Sequence, residues 1–95
     1  MAEYTWDPDK RDANVRKRGI DFDEAKSDHF DPWRIEIPDE RHSQDETWTL
    51  TIGLSSRSRC LVVVTSYRNV QLPRIISAWG ATKRERNEYE RRRRR

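Results

Sequence analysis

Residues 46–79, ETWTLTIGLSSRSRCLVVVTSYRNVQLPRIISAW, contain most of the strongly apolar side chains of this 95-residue chain. In the first part of this segment Trp48, Leu50, Ile52 and Leu54 stand at every second position, with polar or small residues between them. A period of two is typical of a β-strand that has one face buried and the other toward solvent. We therefore predict that this segment forms a sheet around which the rest of the chain packs.

The run CLVVV at residues 60–64 has no alternation and is rich in β-branched residues. Such a run suits a strand that is covered on both faces, so we predict that it lies in the middle of the sheet. Short polar turns at residues 55–58 and at Arg68 with Asn69 separate it from its neighbours, and strands this close in sequence should pair antiparallel. We place a last strand at residues 70–79, at an edge or broken at Pro73, because proline cannot donate to a ladder.

Helices are predicted on both sides of this segment. Asp7 followed by Pro8 is a helix start, and Gly19 is placed to close that helix after about residue 17. A second short helix is expected over residues 21–30, a strand over 33–38, and a terminal helix from Thr82 through at least residue 90, opened by the capping box TKRE. Residues 4–6 are a candidate first strand.

These elements predict an α+β fold, in which a small antiparallel sheet of four or five strands carries two N-terminal helices and a C-terminal helix. The chain length allows one domain, which we assign to residues 1–90. The arginine run at residues 91–95 repels itself, and we expect this basic tail to fray.

Composition limits the function classes. Charged residues make up 39% of the chain, and no segment approaches the roughly 18 apolar residues of a membrane span, so we expect a cytoplasmic protein. The one cysteine, Cys60, has no partner for a disulfide or a zinc site, and we expect it to be a core residue. The sequence thus predicts neither a metal nor another cofactor.

The two halves of the chain differ in charge. Residues 1–47 carry fourteen Asp or Glu against eight Lys or Arg, whereas residues 48–95 carry three against twelve. A basic half favours a polyanionic partner, which is nucleic acid or an acidic protein. A solvated surface with a charged tail explains the same charges, and charge alone does not decide between these interpretations.

Four blocks occur in order along the chain: WDPDKRDANVRKRGIDF, PDERHSQDE, IGLSSRSRCLVVV and RIISAWGATKRERNEYE. Together they resemble the successive blocks of the BrnT family, toxins of bacterial type II toxin–antitoxin modules. The resemblance implies a fold similar to the RelE-like ribonuclease toxins, RNA cleavage that halts translation, and neutralisation by a ribbon-helix-helix antitoxin of the BrnA type. It also implies that operator DNA is bound indirectly, through the antitoxin in the joint complex.

Three positions depart from the pattern that the family commonly shows. Arg18 replaces the histidine of the KHG sequence that is usual at the end of the first helix. Thr65 stands where histidine often follows the VVV run, and Trp79 replaces the arginine of the ISAR sequence. The departures at Thr65 and Trp79 favour an alternative function, in which a degenerate toxin homologue only binds the antitoxin and acts as co-repressor. A basic nucleic-acid binder unrelated to toxins ranks last, because an aromatic RNA-binding sheet motif is absent.

Metal-independent RNA cleavage needs a base for the 2′-hydroxyl, cations for the phosphorane charge and an acid for the 5′-oxygen. Arg68 and Arg74 are our candidate phosphate clamps, because a guanidinium carries fixed charge and a fork of donors. Glu46 is the candidate base or positioning group. His42 is the candidate that donates or accepts the proton, since histidine titrates near neutral pH.

Further candidates for contacts with the RNA are Arg59, Trp79, Lys83, Arg84 and Arg86, with the tryptophan stacking on a base. Each candidate also has a structural interpretation. Glu46 and His42 suit a plain solvated surface, Trp79 suits the core, and the helix arginines suit ion pairs with Glu88 and Glu90 at four-residue spacing. We expect His29 to be structural.

Overall fold

The computed structural model describes residues 3–39 and 47–94. Within these ranges the chain has the predicted α+β fold, with three α-helices, one 3-10 segment and one four-stranded sheet. The elements, in order, are α1 (Pro8–Arg18), α2 (Phe22–Ala25), the 3-10 segment (Lys26–Phe30), β1 (Ile35–Pro38), β2 (Trp48–Leu54), β3 (Cys60–Ser66), β4 (Arg74–Gly80) and α3 (Lys83–Arg93).

The sheet has the order β1-β2-β3-β4, and every neighbouring pair is antiparallel, as predicted. At one end of the sheet Trp48 pairs with Ser66, and at the other end Leu54 pairs with Cys60. Seven residues at about 3.3 Å each separate these two ends of β2 by roughly 20 Å. The two ends of the sheet are therefore distant places on the molecule.

β3 lies between two apolar clusters, which confirms its predicted central place. Leu61 and Val63 belong to the cluster under α2, together with Phe22, whereas Val62 belongs to the cluster under α3, together with Tyr89. Both faces of the strand must be apolar to serve two clusters, and this explains the absence of alternation in its sequence.

The predicted ends of α1 are confirmed. The Asp7 carboxylate accepts the amide N–H of Asp9 at 2.9 Å, and Gly19 has the left-handed conformation with φ of 70°. The one residue buried in α1 is Asn14, whose amide donates to the Ile20 carbonyl at 2.8 Å and accepts the Ala78 N–H at 3.2 Å. This polar side chain ties a weakly amphipathic helix to the outer edge of β4.

Several predicted boundaries were wrong. β4 begins at Arg74 instead of residue 70, because Pro73 cannot donate to the ladder and the preceding residues turn. The candidate strand at residues 4–6 is reduced to a single parallel bridge between Thr5 and Arg74. β1 begins two residues late, since the Asp31 carboxylate accepts the Trp33 N–H at 2.9 Å and holds a turn there.

The predicted helix over residues 21–30 divides into α2 and the 3-10 segment. The capping box that opens α3 is present, with both reciprocal hydrogen bonds between Thr82 and Glu85. α3 continues to Arg93 and so includes three residues of the tail that we expected to fray. In the part of the chain that the structure describes, no helix has both the length and the apolar character needed to cross a membrane.

Candidate functional site

A cavity of about 530 Å³ lies at the end of the sheet where β3 stops and β4 begins. The described residues that line it are Thr5, Ser66, Arg68, Asn69, Leu72 and Arg74. The antiparallel pairing of Ser66 with Arg74 closes one side of it. The turn between the strands is fixed by the Leu72 N–H, which donates to the Asn69 carbonyl at 3.1 Å. Local hairpin geometry therefore brings the two predicted phosphate clamps, Arg68 and Arg74, to one cavity.

The guanidinium groups of Arg68 and Arg74 are available to a ligand. Both residues are exposed, and neither side chain forms an ion pair or a hydrogen bond with residues 3–39 or 47–94. Some other arginines of the chain are already paired: Arg11 contacts Asp21 at 2.6 Å, and Arg34 contacts Glu36 at 3.0 Å. Two unpaired guanidinium groups at one cavity are a strong arrangement for binding a phosphate, because each offers several donors and a fixed charge.

His42 and Glu46, the predicted acid–base residues, lie outside the described residues. The described residues on either side of that segment, Asp39 and Thr47, stand at the cavity end of the sheet. The Asp39 N–H donates to the Trp48 carbonyl at 2.9 Å, and the Tyr67 N–H donates to the Thr47 carbonyl at 2.7 Å. Among the described lining residues of the cavity there is no Asp, Glu or His.

The predicted RNA-contacting residues do not line this cavity in the described structure. Arg59 lies at the opposite end of the sheet, where its Nε donates to Glu24 Oε2 at 2.9 Å. Arg59 and the Ser55 hydroxyl, which donates to the same carboxylate, lower the pKa of Glu24 despite its burial. This ion pair gives Arg59 a structural role between the turn after β2 and α2.

Lys83, Arg84 and Arg86 lie exposed on the first turns of α3. The alternative that pairs these arginines along the helix is not seen in the part of the chain that the structure describes. Glu88 instead contacts Arg91 at 3.1 Å. The three cations therefore form an unpaired basic turn that stays available to a polyanion.

Two of the departures from the family pattern touch each other. Trp79 is partly buried and packs against the apolar cluster under α3. The guanidinium carbon of Arg18, at the end of α1, lies 5.6 Å from the centre of its ring. This geometry is a cation–π contact between two positions that depart from the family pattern.

The third departure belongs to a buried polar cluster that the sequence did not predict. The Thr65 hydroxyl lies 3.0 Å from His29 Nε2. His29 Nδ1 faces two acceptors, the Lys26 carbonyl at 3.2 Å and Asp28 Oδ1 at 3.1 Å, so Nδ1 carries a proton. The predicted structural role of His29 fits this geometry.

Asp28 is fully buried, and apart from the His29 contact neither of its carboxylate oxygens accepts a hydrogen bond within residues 3–39 and 47–94. Burial raises its pKa to about 6, although the neighbouring His29 works in the opposite direction. The Tyr4 ring lies over His29 with 4.6 Å between centroids, and burial raises the pKa of the Tyr4 and Tyr67 phenols, which hydrogen-bond to each other. The only sequence signal for this cluster is the adjacent Asp-His pair.

With this geometry established, the chain was compared with known proteins. Residues 6–85 match the family model described as "Ribonuclease toxin, BrnT, of type II toxin-antitoxin system". The chain belongs to the BrnT family. The resemblance drawn from four sequence blocks is thereby confirmed, and ribonuclease activity within a toxin–antitoxin pair is the family's general function.

A solved structure supports the fold of this BrnT-family chain. It is similar to the 1.1 Å crystal structure of the Brucella abortus ribonuclease toxin BrnT, with a TM-score of 0.66 and 20% sequence identity. The match covers 87% of this chain and 100% of the Brucella chain. At this identity the likeness concerns the fold. A comparison with curated protein sequences gives no match.

Proposed function

We propose that this BrnT-family chain is a metal-independent endoribonuclease that binds the scissile phosphodiester between Arg68 and Arg74. The observation that carries this proposal is the pair of exposed guanidinium groups at one cavity, without a partner in the described part of the chain. Their availability suits a ligand with concentrated negative charge.

In the proposed reaction Glu46 removes the proton of the ribose 2′-hydroxyl, and the 2′-oxygen attacks the adjacent phosphorus. Arg68 and Arg74 stabilise the negative charge that develops on the phosphorane oxygens. His42 protonates the departing 5′-oxygen. The products are a 2′,3′-cyclic phosphate and a free 5′-hydroxyl. Arg84 and Arg86, with Lys83, hold the RNA backbone away from the cleavage point.

The proposed physiological setting is a toxin–antitoxin pair. Cleavage of RNA in the cytoplasm inhibits translation, and an antitoxin of the BrnA type, with a ribbon-helix-helix domain, neutralises the toxin. The toxin reaches operator DNA only through this antitoxin. The charge of the C-terminal half fits both an RNA substrate and an acidic protein partner.

A second candidate function is a binding partner and co-repressor without nuclease activity. One observation favours it: the described lining of the cavity offers no acid–base side chain. In addition, Thr65 and Trp79, which depart from the family pattern, make contacts within the chain: Thr65 with His29, and Trp79 with Arg18. The two candidates differ in whether the chain cleaves RNA.

The test is induction of the chain in bacteria without its antitoxin, combined with cleavage of RNA by the purified protein in chelator. We expect growth arrest and RNA degradation by the wild type, and loss of both in Arg68→Ala, which should still bind the antitoxin. Arg16→Ala is the matched control, because Arg16 is exposed on α1 and has no ion pair in the described structure. Normal growth with a folded wild-type protein would support the co-repressor instead. Loss of antitoxin binding in Arg68→Ala would point to a structural role for this arginine.

A further inference from the structure

A second concave surface lies at the opposite end of the sheet from the arginine cavity. It has a volume of about 360 Å³ and lies between the 3-10 segment, the end of β2 and the last turns of α3. Phe30 and Trp33 are 56% and 43% exposed at this surface, whereas Tyr89 is buried beneath them. We call the surface formed by Phe30, Trp33, Leu54, Tyr89 and Arg93 the aromatic groove.

Several polar groups around the aromatic groove are already engaged within the chain. The Asp31 carboxylate accepts the Leu54 N–H at 2.8 Å, the Trp33 N–H at 2.9 Å and the Tyr89 hydroxyl. The Ser27 hydroxyl bridges two backbone groups, one in α2 and one in the turn after β2. These contacts fix the shape of the groove. What remains for a partner is apolar surface, the Ser56 hydroxyl, the Trp33 indole N–H and the charge of Arg93.

Positive charge beside the groove is in excess. α3 ends in consecutive arginines, of which Arg91 contacts Glu88 at 3.1 Å. Arg92, Arg93 and Arg94 make no ion pair with residues 3–39 or 47–94. Asp31 lies near Arg93, but its carboxylate is used by the hydrogen bonds described above. Arg93 is the arginine that lines the groove, whereas Arg92 faces a separate concavity beside Ile35 and Glu36. An apolar groove with Arg93 at its edge, next to further unpaired arginines of α3, is complementary to an amphipathic segment that carries apolar and acidic side chains.

We propose that the aromatic groove is the surface on which an acidic, amphipathic segment of the antitoxin docks. This inference rests on the proposed function, which supplies the antitoxin as the partner. RNA is the alternative occupant, because bases could stack on the exposed rings of Phe30 and Trp33, and the experiment below separates it from the antitoxin. Exposed aromatic side chains beside arginine are instead the usual anchors of a protein interface.

The position of the groove has a consequence for neutralisation. Leu54 lies at the far end of β2 from Trp48, which pairs with Ser66 of the arginine cavity, so roughly 20 Å separates the two sites. Antitoxin binding and phosphate binding should therefore be separable by mutation. Variants of the groove should remain toxic and escape neutralisation by the antitoxin. Variants of the cavity should lose toxicity and still bind the antitoxin.

The experiment measures the affinity of the full chain for the antitoxin that is encoded beside it, in an Arg68→Ala background that permits expression. Phe30→Ala and Trp33→Ala should each raise the dissociation constant roughly 30-fold, and Arg93→Glu should raise it roughly tenfold. Matched controls are Val70→Ser, an apolar residue 77% exposed outside the groove, and Arg16→Glu on α1. Both controls should bind within about twofold of the parent. Thermal unfolding checks each variant, and Arg93→Glu serves if an aromatic variant does not fold.

Each other outcome overturns a definite part of the argument. Groove variants that bind the antitoxin like the controls would overturn the docking surface while leaving the proposed nuclease untouched. Groove variants that lose RNA binding but keep antitoxin affinity would assign the groove to RNA. A free chain that is dimeric, and becomes monomeric on Trp33→Ala, would assign the groove to a second copy. A parent chain that does not bind the antitoxin at all would contradict the proposed function itself.

Discussion

Replacing Asp28 by asparagine should stabilise the protein at alkaline pH. The gain in stability should disappear as the pH falls. The Asp28 carboxylate is fully buried, and its one close polar neighbour in the described structure is His29 at 3.1 Å. Burial holds its pKa at about 6, against an ordinary value of 3.8. At 1.36 kcal/mol for each pH unit, this difference corresponds to a cost of about 3 kcal/mol for keeping the carboxylate ionised in the folded state.

The sign follows from proton binding. Between pH 4 and pH 6 the folded protein retains the Asp28 proton and the unfolded chain does not, so the free energy of unfolding falls as the pH rises through this window. Asparagine removes that dependence. The expected gain of Asp28→Asn at pH 8 is about 1 to 3 kcal/mol, with the upper value reduced by the lost contact to His29. The gain should approach zero by pH 4.

The assay is urea-induced unfolding of the wild type and Asp28→Asn at several values of pH between 4 and 8. Other carboxylates titrate equally in both proteins, so the difference between the two unfolding free energies isolates Asp28. A difference that does not change with pH would refute the argument. A variant that is less stable at pH 8 would also refute it, because the contact between the ionised carboxylate and His29 would then be net favourable.

Two further predictions concern the buried cluster and the basic end of α3. Thr65→Val should lower the free energy of unfolding by about 1 to 2 kcal/mol in urea unfolding, because His29 Nε2 would lose its hydrogen-bond partner in a buried site. RNA cleavage by this variant should persist, and a selective loss of cleavage would show that the threonine serves catalysis. Deleting residues 91–95 should weaken RNA binding. It should also reduce the slope of the logarithm of the binding constant against the logarithm of salt concentration by roughly 0.7 for each phosphate contact that is lost. An unchanged slope would show that these arginines do not touch the RNA.

The strands could be predicted because their residues respond to local burial. The uninterrupted run in β3 correctly indicated a strand that is covered on both faces. The alternation in β2 predicted one face toward solvent, and this was wrong for its second half: Thr51 is fully buried and Gly53 lies against Asp28 and Arg34. The caps at Asp7, Gly19 and Thr82 are equally local, since each depends on backbone groups within a few residues. The start of β4 was predicted four residues too early, although Pro73 lacks the N–H that a strand ladder requires.

The meeting of Arg68 and Arg74 was predictable in kind, because a short turn between antiparallel strands returns the chain to the same end of the sheet. Long-range contacts were not. His29 meets Thr65 across 36 positions, and Asn14 meets Ala78 across 64. Such pairs leave no periodic trace in one sequence, because a single polar residue in a helix or strand has many possible partners.

The aromatic groove illustrates the same limit. Phe30 and Trp33 are large apolar residues of the kind that usually lies in a core. The hydrogen bonds of Asp31 nevertheless turn the chain between them, and both side chains are exposed. Trp79 shows the reverse case, since a residue predicted to face RNA packs against the core and under Arg18.

The central claim is that Arg68 and Arg74 jointly bind an RNA phosphate. Its most direct test is the affinity of the purified chain for a 2′-O-methyl oligoribonucleotide, which cannot be cleaved, measured by fluorescence anisotropy over a range of salt concentrations. We predict that Arg68→Ala with Arg74→Ala weakens binding at least tenfold and lowers the salt slope by roughly 1.4, at about 0.7 for each lost contact, whereas Arg16→Ala changes neither. Equal affinity and slope for the double variant and the wild type would contradict the claim.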